Sequence, residues 1–388
     1  MKILYDPQIF STQKYGGISN YFVQIISGVM QYGNDVCLPL WFTENEYIHE
    51  NIILKNELIN KNYLKKPNGK PLFNTFRGKR AITRALAKIG LTNYNEKYCI
   101  NYLKKGDFDL LHPTYYNPYF YQYLEGKPFV LTIYDMTHEL YPDNFVSSKT
   151  SINKKYLAQK ASKIIAISES TKRDAVKILG IEPDKIKVIH LASSFNVSAR
   201  KTDISLPEKY ILFTGQRGGF KNFNRFICAC APVIKNTDIS VVCTYVKFTD
   251  EELGLFDKLQ IKERMIHYPA NNEILQILYS NALFFIFPSL NEGFGLPVLE
   301  AFSCGCPVVL SDRSSFPEVA GTAGIYFDPT NEDSIRAVIN QVLQDKELRR
   351  NMVQAGYEQQ KLFTWEKTIQ DTVKLYNTVI NNNVANVE

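Results

Sequence analysis

The chain has no run of 18 or more apolar residues, so nothing in it reads as a membrane-crossing helix. Its opening, Met-Lys-Ile-Leu-Tyr-Asp6, lacks the long apolar core and cleavage site of a secretory leader and reads as a strand. No spaced Gly-x-Gly-x-x-Gly fingerprint occurs, which argues against a nicotinamide dinucleotide site. The seven cysteines include no paired two-residue spacing, since Cys228-x-Cys230 and Cys304-x-Cys306 skip a single residue. They read as buried thiols in a reducing cytoplasm, not as zinc ligands. No internal repeat of short fixed period is evident. What is present is an ordinary globular composition, 45% apolar and 22% charged. At 388 residues the chain is too long for a typical single core and suits two domains.

The net charge of +6 is unevenly spread. Eight basic residues and no acidic one fall between Lys65 and Lys88. Ile82, Ala85, Leu86 and Ile89 stand at helical spacing there, and Gly90 is placed to close the helix. A basic amphipathic helix over 65–88 suits an anionic membrane surface. A solvated basic face packed by its apolar stripe is the ordinary alternative. No nucleic-acid-binding motif accompanies the charge, so nucleic acid is not expected as a partner. The expectation is a cytoplasmic protein, peripheral on the inner face of the membrane.

Short apolar runs alternate with helical patterns along both halves, which implies parallel sheets covered by helices. The amino half reads as a strand, the loop Gln13-Lys-Tyr-Gly-Gly-Ile-Ser-Asn20, a helix from Tyr21 to Met30, and strands before His112, over Pro128–Tyr134 and over Ile164–Ile167. Residues 192–206, poor in apolar side chains, read as a linker. Tyr210-Ile-Leu-Phe-Thr-Gly215 restarts the pattern. The expected fold class is α/β with two Rossmann-like domains, over 1–195 and 205–364, and a terminal segment over 365–388. The terminal helix has Thr364 as N-cap and an apolar stripe at Ile369, Val373, Tyr376 and Ile380 that needs a surface to bury it.

The densest chemistry lies around Glu292 and Glu300, eight positions apart. They bracket a Gly-Phe-Gly-Leu-Pro turn after the apolar run Ala282–Phe287. That run, bounded by Pro288-Ser289, reads as a buried strand. Pro297 fits the first position of a helix, Gly305 is placed to end it, and Pro307–Leu310 makes the next strand. Gly293 and Gly295 let backbone N–H groups approach a ligand, and the helix start favours a phosphate. Glu300 can accept hydrogen bonds from the vicinal hydroxyls of a ribose, and Glu292 from those of a second polyol. A first-turn glutamate also favours the helix dipole with no ligand, and a loop glutamate is usually just solvated. Together the two acids and the amides between them describe a nucleotide-sugar site.

The string Pro288-Ser-Leu-Asn-Glu-Gly-Phe-Gly-Leu-Pro-Val-Leu-Glu-Ala301 resembles the signature of retaining glycosyltransferases of family 4, which have the GT-B fold. The likeness continues through Gly305-Cys-Pro-Val-Val309, Phe316-Pro-Glu-Val319, Phe327-Asp-Pro329 and Phe363-Thr-Trp365, and is strongest over residues 208–366. It implies two Rossmann-like domains facing across a cleft, with the last helix crossing back to the first domain. It also implies a nucleotide-diphosphate sugar as donor, a growing surface polysaccharide or lipid-linked glycan as acceptor, and no metal and no cofactor. Tyr5-Asp-Pro-Gln-Ile-Phe10, Gly16-Gly-Ile-Ser19 and Arg217-Gly-Gly-Phe-Lys-Asn222 are similar to mannosyltransferase-type members, which leans the donor towards a GDP-sugar.

The expected donor-binding set is Gly16, Gly17, Arg217, Lys221, Glu292, Gly293, Phe294, Gly295, Leu296 and Glu300. Arg217 offers a diphosphate a bidentate fork and Lys221 a point charge; two solvated loop cations are the plain alternative. Gly16-Gly17 reads as a bare wall of the cleft or simply as a tight turn. The family often places a histidine at the end of the strand that here finishes with Tyr134. His138 or Asp135, from the loop beyond, takes that role in this chain, so the expected catalytic residues are His138, Asp135 and Glu292. His112, at the end of Asp109-Leu-Leu111, reads as another cleft-rim candidate. Asp107-Phe-Asp109 looks like a metal-binding Asp-x-Asp, but it leads into a strand and reads as a solvated strand entrance. The rival to an enzyme is a non-catalytic partner subunit that kept the fold, and a nucleotide-sugar dehydrogenase or epimerase would need the missing dinucleotide fingerprint.

Overall fold

The computed structural model describes residues 1–65, 93–195 and 204–385. The first half holds β1 (Lys2–Tyr5), β2 (Asp35–Cys37), β3 (Leu110–His112), β4 (Val130–Ile133), β5 (Lys163–Ala166) and β6 (Ile186–Val188). The second holds β7 (Tyr210–Phe213), β8 (Ser240–Cys243), β9 (Met265–His267), β10 (Phe284–Phe287), β11 (Val308–Ser311) and β12 (Gly324–Phe327). All the strand pairings are parallel. That follows from the sequence of the central strands. Val130-Leu-Thr-Ile133 and Phe284-Phe-Ile-Phe287 are buried along their whole length, as strands covered by helices on both faces must be.

Strand order decides where ligands can sit. In the second half the order is β12-β11-β10-β7-β8-β9. The chain builds β7, β8 and β9 outward, then returns to lay β10 on the opposite side of β7. In the first half β2-β1-β3 and β4-β5-β6 are joined through a parallel bridge between Leu111 and Phe129. There the reversal falls between β1 and β3. In open α/β sheets the crevice at such a reversal, outside the carboxyl ends of the strands, is the place for a ligand.

The last helix, Trp365–Ala385, returns to the first half. Thr364 Oγ1 accepts from the Lys367 amide at 3.3 Å, which caps its start. It lies against the Gly17–Gln31 helix at Gly28, where a Cβ would stand 2.2 Å from Ile369 Cδ1, so a larger residue could not keep this approach. Tyr376 is fully buried, with its hydroxyl 2.5 Å from His112 Nδ1 and 3.3 Å from the Tyr5 hydroxyl. His112 Nε2 is 2.8 Å from Thr132 Oγ1. His112 is therefore no cleft residue: it is sealed under the returning helix, and burial pushes its pKa down to about 3.

Several other readings meet the structure here. Asp107 bonds Lys2 Nζ at 2.6 Å and Asp109 accepts from the Lys2 amide at 2.6 Å, at the entrance to β3. The Gly17–Gln31 helix begins four residues before Tyr21, and a short helix, Gln8–Thr12, precedes it. The basic helix expected over 65–88 lies outside the described residues after Lys65, as do 196–203 of the linker. Among the described residues no helix is long and apolar enough to cross a membrane.

Candidate active site

The loops leaving β7 and β10 meet at the reversal of the second sheet. Lys221 comes from the first loop and Glu292 from the second, and Lys221 Nζ bonds Glu292 Oε1 at 2.5 Å. The ammonium also stands over the rings of Phe220 and Phe287, at 5.1 and 5.4 Å from their centroids. Asn222 ties the two loops together. It takes a left-handed conformation, φ 59°, and its Nδ2 donates to the carbonyls of Pro288, at 3.1 Å, and Pro329, at 2.7 Å. A short polar side chain that tolerates positive φ is suited to that turn.

The glycine turn then opens the Leu296–Ser303 helix. Gly295 caps it at φ 93°, so Pro297 is the second helical residue, not the first. Ser315 Oγ donates to the carbonyls of Glu292, at 3.0 Å, and Phe294, at 2.9 Å, and the Ser314 hydroxyl donates to Glu292 O. These bonds hold the carbonyls of the turn back, while in the first helical turn the Val298 amide donates to Gly295 O at 2.8 Å and Pro297 has no N–H to place. Glu300 is half-buried on the same helix, with the Tyr279 hydroxyl donating to Oε2 at 3.5 Å. Burial pushes its pKa up to about 7, and that one bond offsets little of the shift. A half-buried carboxylate with a single long partner is an acceptor in want of donors, which a diol would supply.

Arg217 corrects the expectation made for it. It is 6% exposed, and its guanidinium sits in a cage of its own. Nε bonds Glu252 Oε1 at 2.7 Å and Nη2 bonds Glu252 Oε2 at 3.1 Å. Nη1 donates to Thr244 O at 3.2 Å and Nη2 to Lys247 O at 2.9 Å. Phe223 and Phe248 lie against it, 5.7 and 5.0 Å away. A fork so engaged fastens the loops after β7 and β8. The Phe294 side chain is likewise structural, 2% exposed against His190 and Phe363, so only its backbone can meet a donor.

The first half closes over the turn. A Cβ on Gly293 would stand 1.8 Å from the carbonyl oxygen of Tyr134, so nothing larger than glycine fits against the end of β4. Ser168 Oγ and Thr171 Oγ1 donate to Gly293 O at 2.6 and 3.1 Å. Asn291 Nδ2 donates to Thr137 Oγ1 at 3.0 Å, which sets the residue before Glu292 against the residue before His138. Gly17 faces Leu296, where a Cβ would be 3.8 Å from Cδ1, while Gly16 backs onto Gln13. Asp135 Oδ1 accepts from the Thr137 amide at 2.9 Å, so its carboxylate shapes the turn that carries His138. The His138 ring stacks on Phe145 with centroids 3.8 Å apart, and burial followed by the nearby Lys154 ammonium lowers its pKa.

Sequence reasoning missed four contributors. Lys154, 1% exposed, holds the Asp135 carbonyl at 2.8 Å and Glu139 at 2.9 Å. Glu318 accepts from the amides of Glu169 and Ser170, at 2.7 and 3.2 Å, and from His190 Nε2 at 2.7 Å, which latches the two halves together. Ser314 and Ser315 set the turn. Only Glu318 carried a signal, within Phe316-Pro-Glu-Val319.

Two family models divide the chain. One described as "Glycosyltransferase Family 4" matches residues 15–192, and one described as "Glycosyl transferases group 1" matches residues 194–359. The O-antigen chain mannosyltransferase B of Escherichia coli is 30% identical over 68% of this chain and 73% of its own length. The O-antigen chain mannosyltransferase RfbU of Salmonella typhimurium is 27% identical over 59% of this chain and 65% of its own. Among solved structures, Anabaena HepE in complex with UDP and glucose superposes with a TM-score of 0.68 at 16% identity, over 97% of this chain and 99% of that one. At that identity the likeness speaks for the fold alone: two Rossmann-like domains in the GT-B arrangement.

Proposed function

Because the chain belongs to the group 1 glycosyl transferases, we propose that it moves a hexosyl unit from a nucleotide-diphosphate sugar to a growing surface polysaccharide or a lipid-linked oligosaccharide. The donor is a GDP-sugar of the GDP-mannose kind. Transfer retains the anomeric configuration and needs no bound metal. The names of the two O-antigen mannosyltransferases support the sugar and the kind of acceptor. The observation that carries the reading is the meeting of Lys221, Glu292 and the glycine turn at the reversal of the second sheet, with Glu300 on the helix that follows.

In this reading Glu300 accepts hydrogen bonds from the ribose hydroxyls and Glu292 from those of the sugar. Lys221 gives its free N–H donors to the diphosphate, alongside the amides of Gly293–Leu296. These groups stabilise the charge that develops as the bond from the anomeric carbon to the β-phosphate oxygen breaks. The acceptor oxygen forms its bond to that carbon from the same face, and its proton passes to the departing phosphate oxygen. His138 and Asp135 line the acceptor side, and Gly16-Gly17 forms the wall opposite Leu296. Closure of the two halves keeps out water that would hydrolyse the donor.

The test is a thermal-shift screen of the purified protein against GDP-, UDP- and dTDP-sugars, followed by NMR of any product linkage. Stabilisation by GDP-mannose and an α-linked product are expected. A β-linked product would overturn retention. Donor binding with neither transfer nor hydrolysis would make the chain a non-catalytic partner subunit.

A further inference from the structure

Three successive carbonyls of the glycine turn are pinned from alternating sides. Glu292 O and Phe294 O accept from Ser314 and Ser315 of the same lobe. Gly293 O, between them, accepts from Ser168 Oγ and Thr171 Oγ1 of the other lobe. A trans peptide is planar, so pinning a carbonyl aims the amide of the next residue in the opposite direction. The Gly293 and Gly295 amides are thus aimed from within the second lobe, and the Phe294 amide by the first. Among the described residues no protein group accepts from these three amides, so all three remain open donors.

The hydroxyls on Gly293 O owe their place to a residue that reaches across. Ser168 caps the helix Glu169–Leu179, its Oγ accepting from the Thr171 amide at 3.0 Å. The two amides before that one have no acceptor within the helix. They donate to Glu318 of the second lobe, Glu169 N at 2.7 Å and Ser170 N at 3.2 Å. A carboxylate there also meets the positive end of the helix dipole. His190 donates from Nε2 to Glu318 Oε1 at 2.7 Å, and its ring lies against Phe294 of the turn, centroids 5.9 Å apart. One short segment, Ser314–Glu318, therefore holds two turn carbonyls with its hydroxyls and the first-lobe helix with its carboxylate.

Resting on the transferase reading above, we propose that Glu318 is a positioning residue for transfer, acting through the first-lobe helix and not on the substrate. By fastening the start of that helix it sets Ser168 and Thr171 on Gly293 O. Through that carbonyl it aims the Phe294 amide at the diphosphate. A residue that merely braced the two lobes would support folding and leave the turn alone.

The test measures kcat and donor KM separately in the wild type, Glu318→Ala, Glu318→Gln and the Ser168→Ala/Thr171→Val pair, the last with and without Glu318→Ala. Glu318→Ala should lower kcat per folded molecule about tenfold and change KM by less than about threefold, because aim matters most as charge develops. Glu318→Gln keeps one acceptor oxygen for the Glu169 amide and should recover part of the loss. Added to the Ser168→Ala/Thr171→Val pair, Glu318→Ala should cost less than about twofold more, since it acts through those hydroxyls. Hydrogen exchange over residues 288–302 reads the same link without turnover and should quicken about tenfold in Glu318→Ala. If Glu318→Ala does not fold, Glu318→Gln takes its place in both measurements. Wild-type kcat in the variant, a loss confined to KM, independent losses in the combined variant or unchanged exchange in the turn would each overturn the proposal. A wild type that turns over no donor, with exchange still quickened in the variant, counts against the transferase reading, and the link from Glu318 to the turn stands.

Discussion

Two cations leave the loop after β7, four residues apart, and their surroundings give them opposite work. Arg217 spends three nitrogens on one carboxylate and two carbonyls, with aromatic rings against it. Among the described residues Lys221 makes one bond, to Glu292, and its side chain remains 18% exposed. An ammonium has three donors, so two stay open to a ligand. In sequence the arginine looks the better phosphate binder, because its fork matches an oxyanion. In the fold the better donor is the less satisfied one. A charged group already fully paired braces the loops, and one left partly unpaired at a crevice is available for chemistry.

That contrast can be broken by experiment. On stability the largest effect is expected from Arg217→Met, which strands the half-buried Glu252 carboxylate and should cost about 1–3 kcal/mol. Denaturant unfolding measures it, and kcat per folded molecule should hold. Lys221→Met should do the reverse: little change in unfolding midpoint and a loss in kcat of about 10²–10³-fold. If the two variants exchange these signatures, the assignment of roles is wrong. Lys221→Arg keeps the charge but replaces a point donor with a planar fork, and about a tenfold loss in kcat/KM is expected from steady-state kinetics.

Glu300 extends the contrast to an acid. Its pKa, raised by burial to about 7, means that it carries a proton below that pH and cannot accept from both ribose hydroxyls. Nucleotide affinity should therefore rise with pH through about 7, by up to roughly tenfold per unit on the acid side. The same shift makes the ionised form costly to the fold, so Glu300 withdraws stability as pH rises from its unfolded pKa through about 7. Calorimetric titration of GDP between pH 5.5 and 8.5 should show the affinity limb in the wild type and none in Glu300→Gln. A limb that persists in the variant belongs to another group.

How much of this was legible follows from how local each signal is. The unit β10, turn, helix, β11 was readable because aromatic and β-branched runs, two glycines and a proline mark every joint within about 25 residues. The five-residue helix Gln8–Thr12 is too short to show a period. The partner of Arg217 lies 35 positions away and that of His112 lies 264 away, and no pattern in one stretch announces either. Lys154 looks like any helix-surface lysine until its helix is packed. Burial and partner choice are tertiary facts, and they separate a bracing charge from a working one.

The bond between His112 and Tyr376 carries a consequence for how the molecule is made. On the ribosome, β1, β3 and β4 emerge long before Tyr376, so Tyr5, His112 and Thr132, covered on one side by Tyr21 and Phe22, lack their other cover while the entire second lobe is translated. Only when Tyr376 arrives is the last open side of that cluster covered. The lobe synthesised first is thus the one completed last.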